Sequence, residues 1–171
     1  MIKVRVERPD DIVDIHKVNE KAFGQPTEAE LVNALREGCD EYISLVATID
    51  ERVVGHILFT PVTIIREGGV MRGMGLAPMA VLPGFQRNGI GSRLVQDSID
   101  ILRESTCPFI IVLGHPAYYP RFGFEPASGH GISCQWEGIP DEAFMVLILD
   151  EHVMRGISGV ARYRDEFDQA M

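Results

Sequence analysis

From Phe85 to Arg93 the chain reads Phe85, Gln86, Arg87, Asn88, Gly89, Ile90, Gly91, Ser92, Arg93, and apolar residues at helical spacing follow. A glycine-containing loop that feeds a helix presents unpaired backbone amides and the positive end of the helix dipole, a combination suited to phosphate or pyrophosphate. Gly89 and Gly91 allow close approach, and Arg87 and Arg93 add positive charge. A plain strand-to-helix turn has the same composition, so two glycines alone leave both readings open. Two nucleotide loops are excluded by residue type. A dinucleotide fingerprint needs a third glycine where this chain has Leu94, and a Walker loop starting at Gly84 needs lysine where it has Ile90.

The other reactive side chains form weaker patterns. Cys39, Cys107 and Cys134 are the only three cysteines and have no CxxC spacing, which argues against a disulfide framework or zinc knuckle and fits reducing cytoplasm. His130 and Cys134 make a two-ligand set with no further partner, so no metal is expected. Cys134 lacks a setting that would activate a thiolate. His56 and His130 are weak candidates for chemistry, since histidine is more often structural.

The elements that must position the loop can be read from periodicity. Ile2, Val4 and Val6 alternate with charged residues and predict a strand that stops before Pro9; a helix follows from about Asp11 to Phe23. Thr27 three residues before Glu30 predicts a capping box opening a second short helix, with Gly38 to end it. From Tyr42 the period becomes two, giving a hairpin of Ile43 to Ile49 and Val53 to Thr60, then a third meander strand from Met71 to Leu82. That strand is rich in Gly near Gly73 and Gly75 and contains Pro78, the mark of an edge or a bulge. The loop comes next, then a helix to about Arg103, a buried strand at Phe109 to Leu113, a short helical piece from near Pro116, a strand around Phe124 and a last strand at Ala143 to Leu149. This order predicts an α+β, three-layer arrangement around one mixed sheet.

With 171 residues, 46% hydrophobic and 24% charged, the chain fits one domain over 1–171, with 151–171 as an extension. The N-terminus lacks a signal peptide's apolar run and no stretch is long enough to span a bilayer, so a soluble chain without a membrane partner is expected. The net charge of −9 disfavours a nucleic-acid partner. It is unevenly spread: residues 1–70 carry −5, 71–136 carry +1 and 137–171 carry −5. The middle third, which holds the loop, is the one part that would not repel an anion.

Gln86 to Gly91 matches the [QR]xxGx[GA] motif of the GCN5-related N-acetyltransferases, and Tyr118, Tyr119, Pro120, Arg121, Phe122, Gly123, Phe124 resembles their later YxxxGF motif. The element order is similar to theirs, and the phrases Met79 to Pro83 and Val112 to Phe124 resemble a branch of bacterial predicted acetyltransferases. The resemblance implies an acyl-CoA N-acyltransferase fold, with a mostly antiparallel sheet splayed at the cofactor site. It also implies acetyl-CoA as cosubstrate. Its pyrophosphate would lie on Gln86, Arg87, Asn88, Gly89, Ile90, Gly91, Ser92 and Arg93, and its pantetheine would pair with the main chain of Met79, Ala80, Val81 and Leu82. An amide near Ala80 to Val81 would also polarise the thioester carbonyl.

The same resemblance makes Tyr119, four residues before Gly123, the acid that protonates the departing thiolate. The family's usual base is a Glu in or near the strand before the loop, and between Met71 and Leu82 there is no acid at all. His115 is the candidate base in its place, with capping of the short helix as its other reading. A primary amine is the implied acceptor, a small molecule before a protein lysine, with Glu20, Glu28 and Glu30 as a face that would attract a cation. The competing class is a noncatalytic acyl-CoA-binding module, which would keep the loop and dispense with a base. Residues after about Asp150 remain open between a terminal strand, a cap over the acceptor and a homodimer contact.

Overall fold

The alternation at the N-terminus does form a strand in the computed structural model, which describes residues 1–170. The elements in chain order are β1 (Ile2–Val6), α1 (Ile12–Phe23), α2 (Thr27–Gly38), β2 (Ile43–Ile49), β3 (Arg52–Arg66), β4 (Gly69–Val81), α3 (Ile90–Glu104), β5 (Phe109–Leu113), β6 (Glu125–Pro126), β7 (Ile132–Cys134), β8 (Phe144–Ile148), α4 (Glu151–Met154) and β9 (Gly159–Arg162). Hydrogen-bonded neighbours follow the order β1-β2-β3-β4-β5-β8-β6, with β9 also on β3 and β7 on β9. The chain forms two compact units. The first holds Met1–Thr60, Ala77–Asp100 and the residues from Asp165 on; the second holds Pro61–Leu76 and Ile101–Arg164.

In the first unit β1 runs antiparallel to β2 from Ile2 opposite Ile49 to Val6 opposite Leu45, and β2 runs antiparallel to β3 with a bulge between Ala47 and Thr48. Successive residues of a strand face opposite ways. His56 accordingly meets Asn19 of α1, while a Cβ at Gly55 would meet Ile90 and Leu94 of α3 at 3.1 Å. Helices on both faces of the strands give the expected α/β/α layering. Ile15, Leu35, Leu45, Ile57, Phe59 and Leu94 are fully buried between them.

In the second unit the start of β4 pairs in parallel with β5, from Met74 opposite Ile110 to Leu76 opposite Val112. β5 and β8 are antiparallel, as are β8 and β6. β9 lies antiparallel to the second half of β3 and parallel to β7. Of the pairings named, only β4–β5 and β7–β9 are parallel, so the sheet is mixed and mostly antiparallel. The glycines of β4 have a packing cause: a Cβ at Gly73 would come within 2.6 Å of the Phe109 ring, and one at Gly75 within 2.6 Å of Val62.

Several local expectations are corrected. Thr27 is the first residue of α2, with Pro26 in the N-cap place and no side-chain cap, so the capping box does not form; Gln25 donates to the Glu28 carboxylate instead. The expected helical piece after Pro116 is a 3-10 turn, Tyr119–Phe122. The strand near Phe124 starts one residue later, at Glu125. The C-terminal stretch supplies α4 and β9.

Candidate active site

The first unit contains the glycine loop. β4 ends at Val81, and Leu82 is tied at both main-chain groups: its N–H donates to Val54 O (2.9 Å) and its carbonyl accepts from Phe85 N (2.8 Å). The Leu82 amide is thus already used within the protein, while Met79, Ala80 and Val81 lie ahead of that tie. Met79 and Val81 are half-buried and Ala80 is buried. The Ala77–Pro78 peptide before them is cis.

Gln86 turns its side chain back to donate to Val81 O at 3.0 Å, and the Asn88 side chain donates to the carbonyls of Phe85 and Gln86, both at 3.3 Å. These two side chains brace the loop. Arg87 adopts φ +65° and Gly89 φ +80°, left-handed values that suit glycine and are uncommon for arginine. Asp50, Glu51 and Thr106 have positive φ as well, in other turns. Arg93 N–H donates to Gly89 O at 3.0 Å, the first bond of α3, so the amides of Ile90 and Gly91 ahead of it have no acceptor within the helix. The first helical turn of α3 leaves such donors by geometry, and its dipole favours an anion. Ile90 turns inward and anchors α3, Gly91 and Ser92 lie in its first turn, and Arg93 is exposed, donating to Asp97 at 3.0 Å.

The second unit contains the two candidate proton carriers. Tyr119 is 8% exposed, whereas its neighbour Tyr118 is half-buried, so Tyr119 is the inward member of the pair. Its ring sits edge-on to Tyr118 at 5.1 Å and to Phe124 at 5.7 Å. A Cβ at Gly114 would overlap the same ring, so glycine is required there. Burial, with a smaller contribution from Tyr118, pushes the Tyr119 phenol up from its ordinary value and keeps it protonated at neutral pH. His115 is exposed, and its carbonyl accepts from the amides of Tyr118 (3.1 Å) and Tyr119 (3.3 Å), which opens the turn carrying Tyr119. That turn is capped by the main chain of His115, which leaves its imidazole clear of the capping role.

Two weaker candidates resolve differently. His130 is exposed with Glu125 at 3.3 Å, and burial pushes the Cys134 thiol up, away from a reactive thiolate. No metal-binding group of three or more His, Cys, Asp or Glu exists among the described residues. His56 belongs to a buried polar chain in the first unit. Asn19 Nδ2 donates to Ile15 O (3.0 Å) and meets His56 Nδ1 (3.1 Å); His56 Nε2 meets Ser44 Oγ (2.9 Å), and the Ser44 hydroxyl donates to Glu7, which also receives Arg36 at 2.9 Å. Because both Asn19 hydrogens are then donated, His56 accepts at Nδ1 and carries its proton at Nε2. Burial, opposed by Glu7 and aided by Arg36, lowers the His56 pKa to about 3. Burial alone would raise Glu7, but Arg36 and Ser44 hold its carboxyl below the usual range.

This geometry agrees with comparison to known proteins. Residues 3–127 match the family model described as an acetyltransferase (GNAT) domain. The chain belongs to the GNAT acetyltransferase family, and its reaction class is acetyl-CoA-dependent N-acetyl transfer. Among its relatives, the uncharacterized N-acetyltransferase YhbS of Escherichia coli K12 is 36% identical over 97% of this chain and 98% of its own. YjhQ, an uncharacterized N-acetyltransferase of the same strain, is 44% identical over 70% of this chain and 67% of its own. The crystal structure of Escherichia coli YhbS in complex with CoA superposes with a TM-score of 0.89, covering 98% of this chain and 92% of that one. A Brucella melitensis GNAT acetyltransferase in complex with acetyl-CoA is 33% identical, with a TM-score of 0.79 over 98% and 99%.

Proposed function

We propose that Gln86 to Arg93 hold the acetyl-CoA pyrophosphate on the amides of Arg87 to Gly91, and that the main chain of Met79 to Val81 receives the pantetheine. Support comes from the unused amides, the left-handed Arg87 and the anion-favouring end of α3. A small primary amine is the acceptor. Its ammonium form loses a proton to His115, the neutral nitrogen attacks the thioester carbonyl, the C–S bond breaks as Tyr119 donates its proton to the departing thiolate, and the second proton shed by the new amide nitrogen restores the Tyr119 phenol. A phenol held above its ordinary pKa is a weaker acid than a free thiol, so Tyr119 acts chiefly as a hydrogen-bond donor to sulfur whose proton follows as the bond breaks. The protein works in the cytoplasm, in keeping with three free cysteines, and no described helix is long and apolar enough to cross a membrane.

The observation that carries this reading is the fixed, inward Tyr119 ring. The test is CoA release over a panel of small amines and lysine peptides, with Tyr119→Phe beside wild type. We expect at least one small amine to turn over, and Tyr119→Phe to lower turnover by about 10²-fold or more while acetyl-CoA affinity holds. Binding of acetyl-CoA with no acceptor distinguishing the two proteins would favour the noncatalytic module, and equal turnover by both would remove Tyr119 from the chemistry.

A further inference from the structure

The second unit has a cavity of about 600 Å³ at the end of β8 remote from Tyr119. β8 sets Phe144 opposite Leu113, beside Gly114, and Ile148 opposite Phe109, so roughly 13 Å of strand separates the two ends. Ile132, Met154 and Ile157, all buried, give the cavity an apolar floor. His130, which lies 3.3 Å from Glu125, lines it as well, as do Glu151 and Arg155. Four residues apart in this order, they would form a favourable pair on a continuous helix. They do not, because α4 ends at Met154 and Arg155 is extended (φ −60°, ψ 124°). Neither has an ion-pair or hydrogen-bond partner among the described residues. One open hollow of ligand size thus presents an apolar floor, an imidazole engaged with Glu125 outside the hollow, and a solvated carboxylate and guanidinium with no partner among the described residues.

We propose that this cavity binds a small aliphatic zwitterion of the α-amino-acid type, its ammonium on Glu151, its carboxylate on Arg155 and its side chain on Ile132, Met154 and Ile157. The charge pattern selects the class. A simple anion would leave Glu151 facing it, a simple cation would meet Arg155, and a neutral hydrocarbon would use neither. A guanidinium matches a carboxylate in bidentate fashion.

The probe is L-leucine, titrated without acetyl-CoA into the full chain carrying labelled methyl groups. Saturable shifts at Met154, Ile157 and Ile132 are expected. Leucinamide, which lacks the carboxylate, and N-acetyl-leucine, which lacks the ammonium, should each bind about tenfold more weakly. Arg155→Ala should abolish the preference over leucinamide, and Glu151→Gln that over N-acetyl-leucine. Both positions are exposed, so the thermal melt and acetyl-CoA binding should stay at wild-type values. Shifts that fail to saturate by about 10 mM, or binding indifferent to both substitutions, would overturn the proposal. Since N-acetyl-leucine has no amine to acetylate and the donor is absent, these outcomes do not depend on the acceptor reading.

Discussion

Gly114→Ala tests whether the Tyr119 ring is held where its proposed chemistry needs it. The added methyl group would overlap the ring, whose other sides are occupied by Tyr118 and Phe124. Relief requires the ring to swing or β5 to shift, and overpacking of this kind costs about 1–3 kcal/mol. For a chain of this length that is a fall in melting temperature of about 3–10 °C. If the phenol leaves its place, CoA release with an accepted amine should fall by about 10²–10⁴-fold, the worth of a positioned acid. The decisive comparison is a double-mutant cycle with Tyr119→Ala. Removing the ring clears the space for the methyl, so Gly114→Ala should cost almost nothing in that background. The same melting-temperature loss with and without the ring would refute the argument, since the alanine would then be acting through the backbone.

Three other outcomes follow from the same geometry. Arg87→Gly should leave the melting temperature nearly unchanged, because the relief of about 1 kcal/mol at φ +65° is offset by glycine's greater freedom in the unfolded chain, while weakening acetyl-CoA binding through the lost charge; calorimetry measures both. Stability should fall as pH drops from about 6.5 toward 3, because over that range an unfolded His56 takes up a proton that the folded one, with its pKa lowered to about 3, refuses. The slope is at most about 1.4 kcal/mol per pH unit for one proton, and His56→Gln should flatten it in denaturant titrations while lowering stability at pH 7. Arg36→Ala should destabilise by about 3–5 kcal/mol, since it leaves the Glu7 carboxylate half-buried without its partner; a chemical melt that moves by less than about 1 kcal/mol would show that water takes over from the guanidinium.

Much of the fold was legible because its long elements carry strong local patterns. β1, β2, β5 and β8 alternate or run apolar, and α3 has clean helical spacing behind a glycine loop. The misreadings sit where a local rule met a competitor. Thr27 has the capping-box spacing, but Pro26, whose missing N–H suits a helix start, takes the cap position. β7 and β9 are three and four residues long and depend on pairing with each other and with β3, which no local pattern announces. At the candidate site the loop was found by residue type and the inward tyrosine by resemblance. The left-handed Arg87 was invisible, because φ is not written in a residue's identity. The chain from Asn19 to Glu7 was missed for a related reason. Its members lie far apart in sequence, and only the β2–β3 register, with Val46 opposite His56 and Ser44 opposite Leu58, brings Ser44 and His56 to one face.

The doubly tied Leu82 has a consequence for how the loop meets its ligand. With both main-chain groups engaged, the base of the loop is ordered before any ligand arrives, so little backbone entropy is left to lose on association. In hydrogen-exchange terms, the Leu82 amide should already be slow in the free protein, and the amides of Ile90 and Gly91 should exchange freely until an anion covers them. A ligand would thus change exchange at the start of α3 and leave its support untouched, the behaviour of a receptor whose shape was completed at folding.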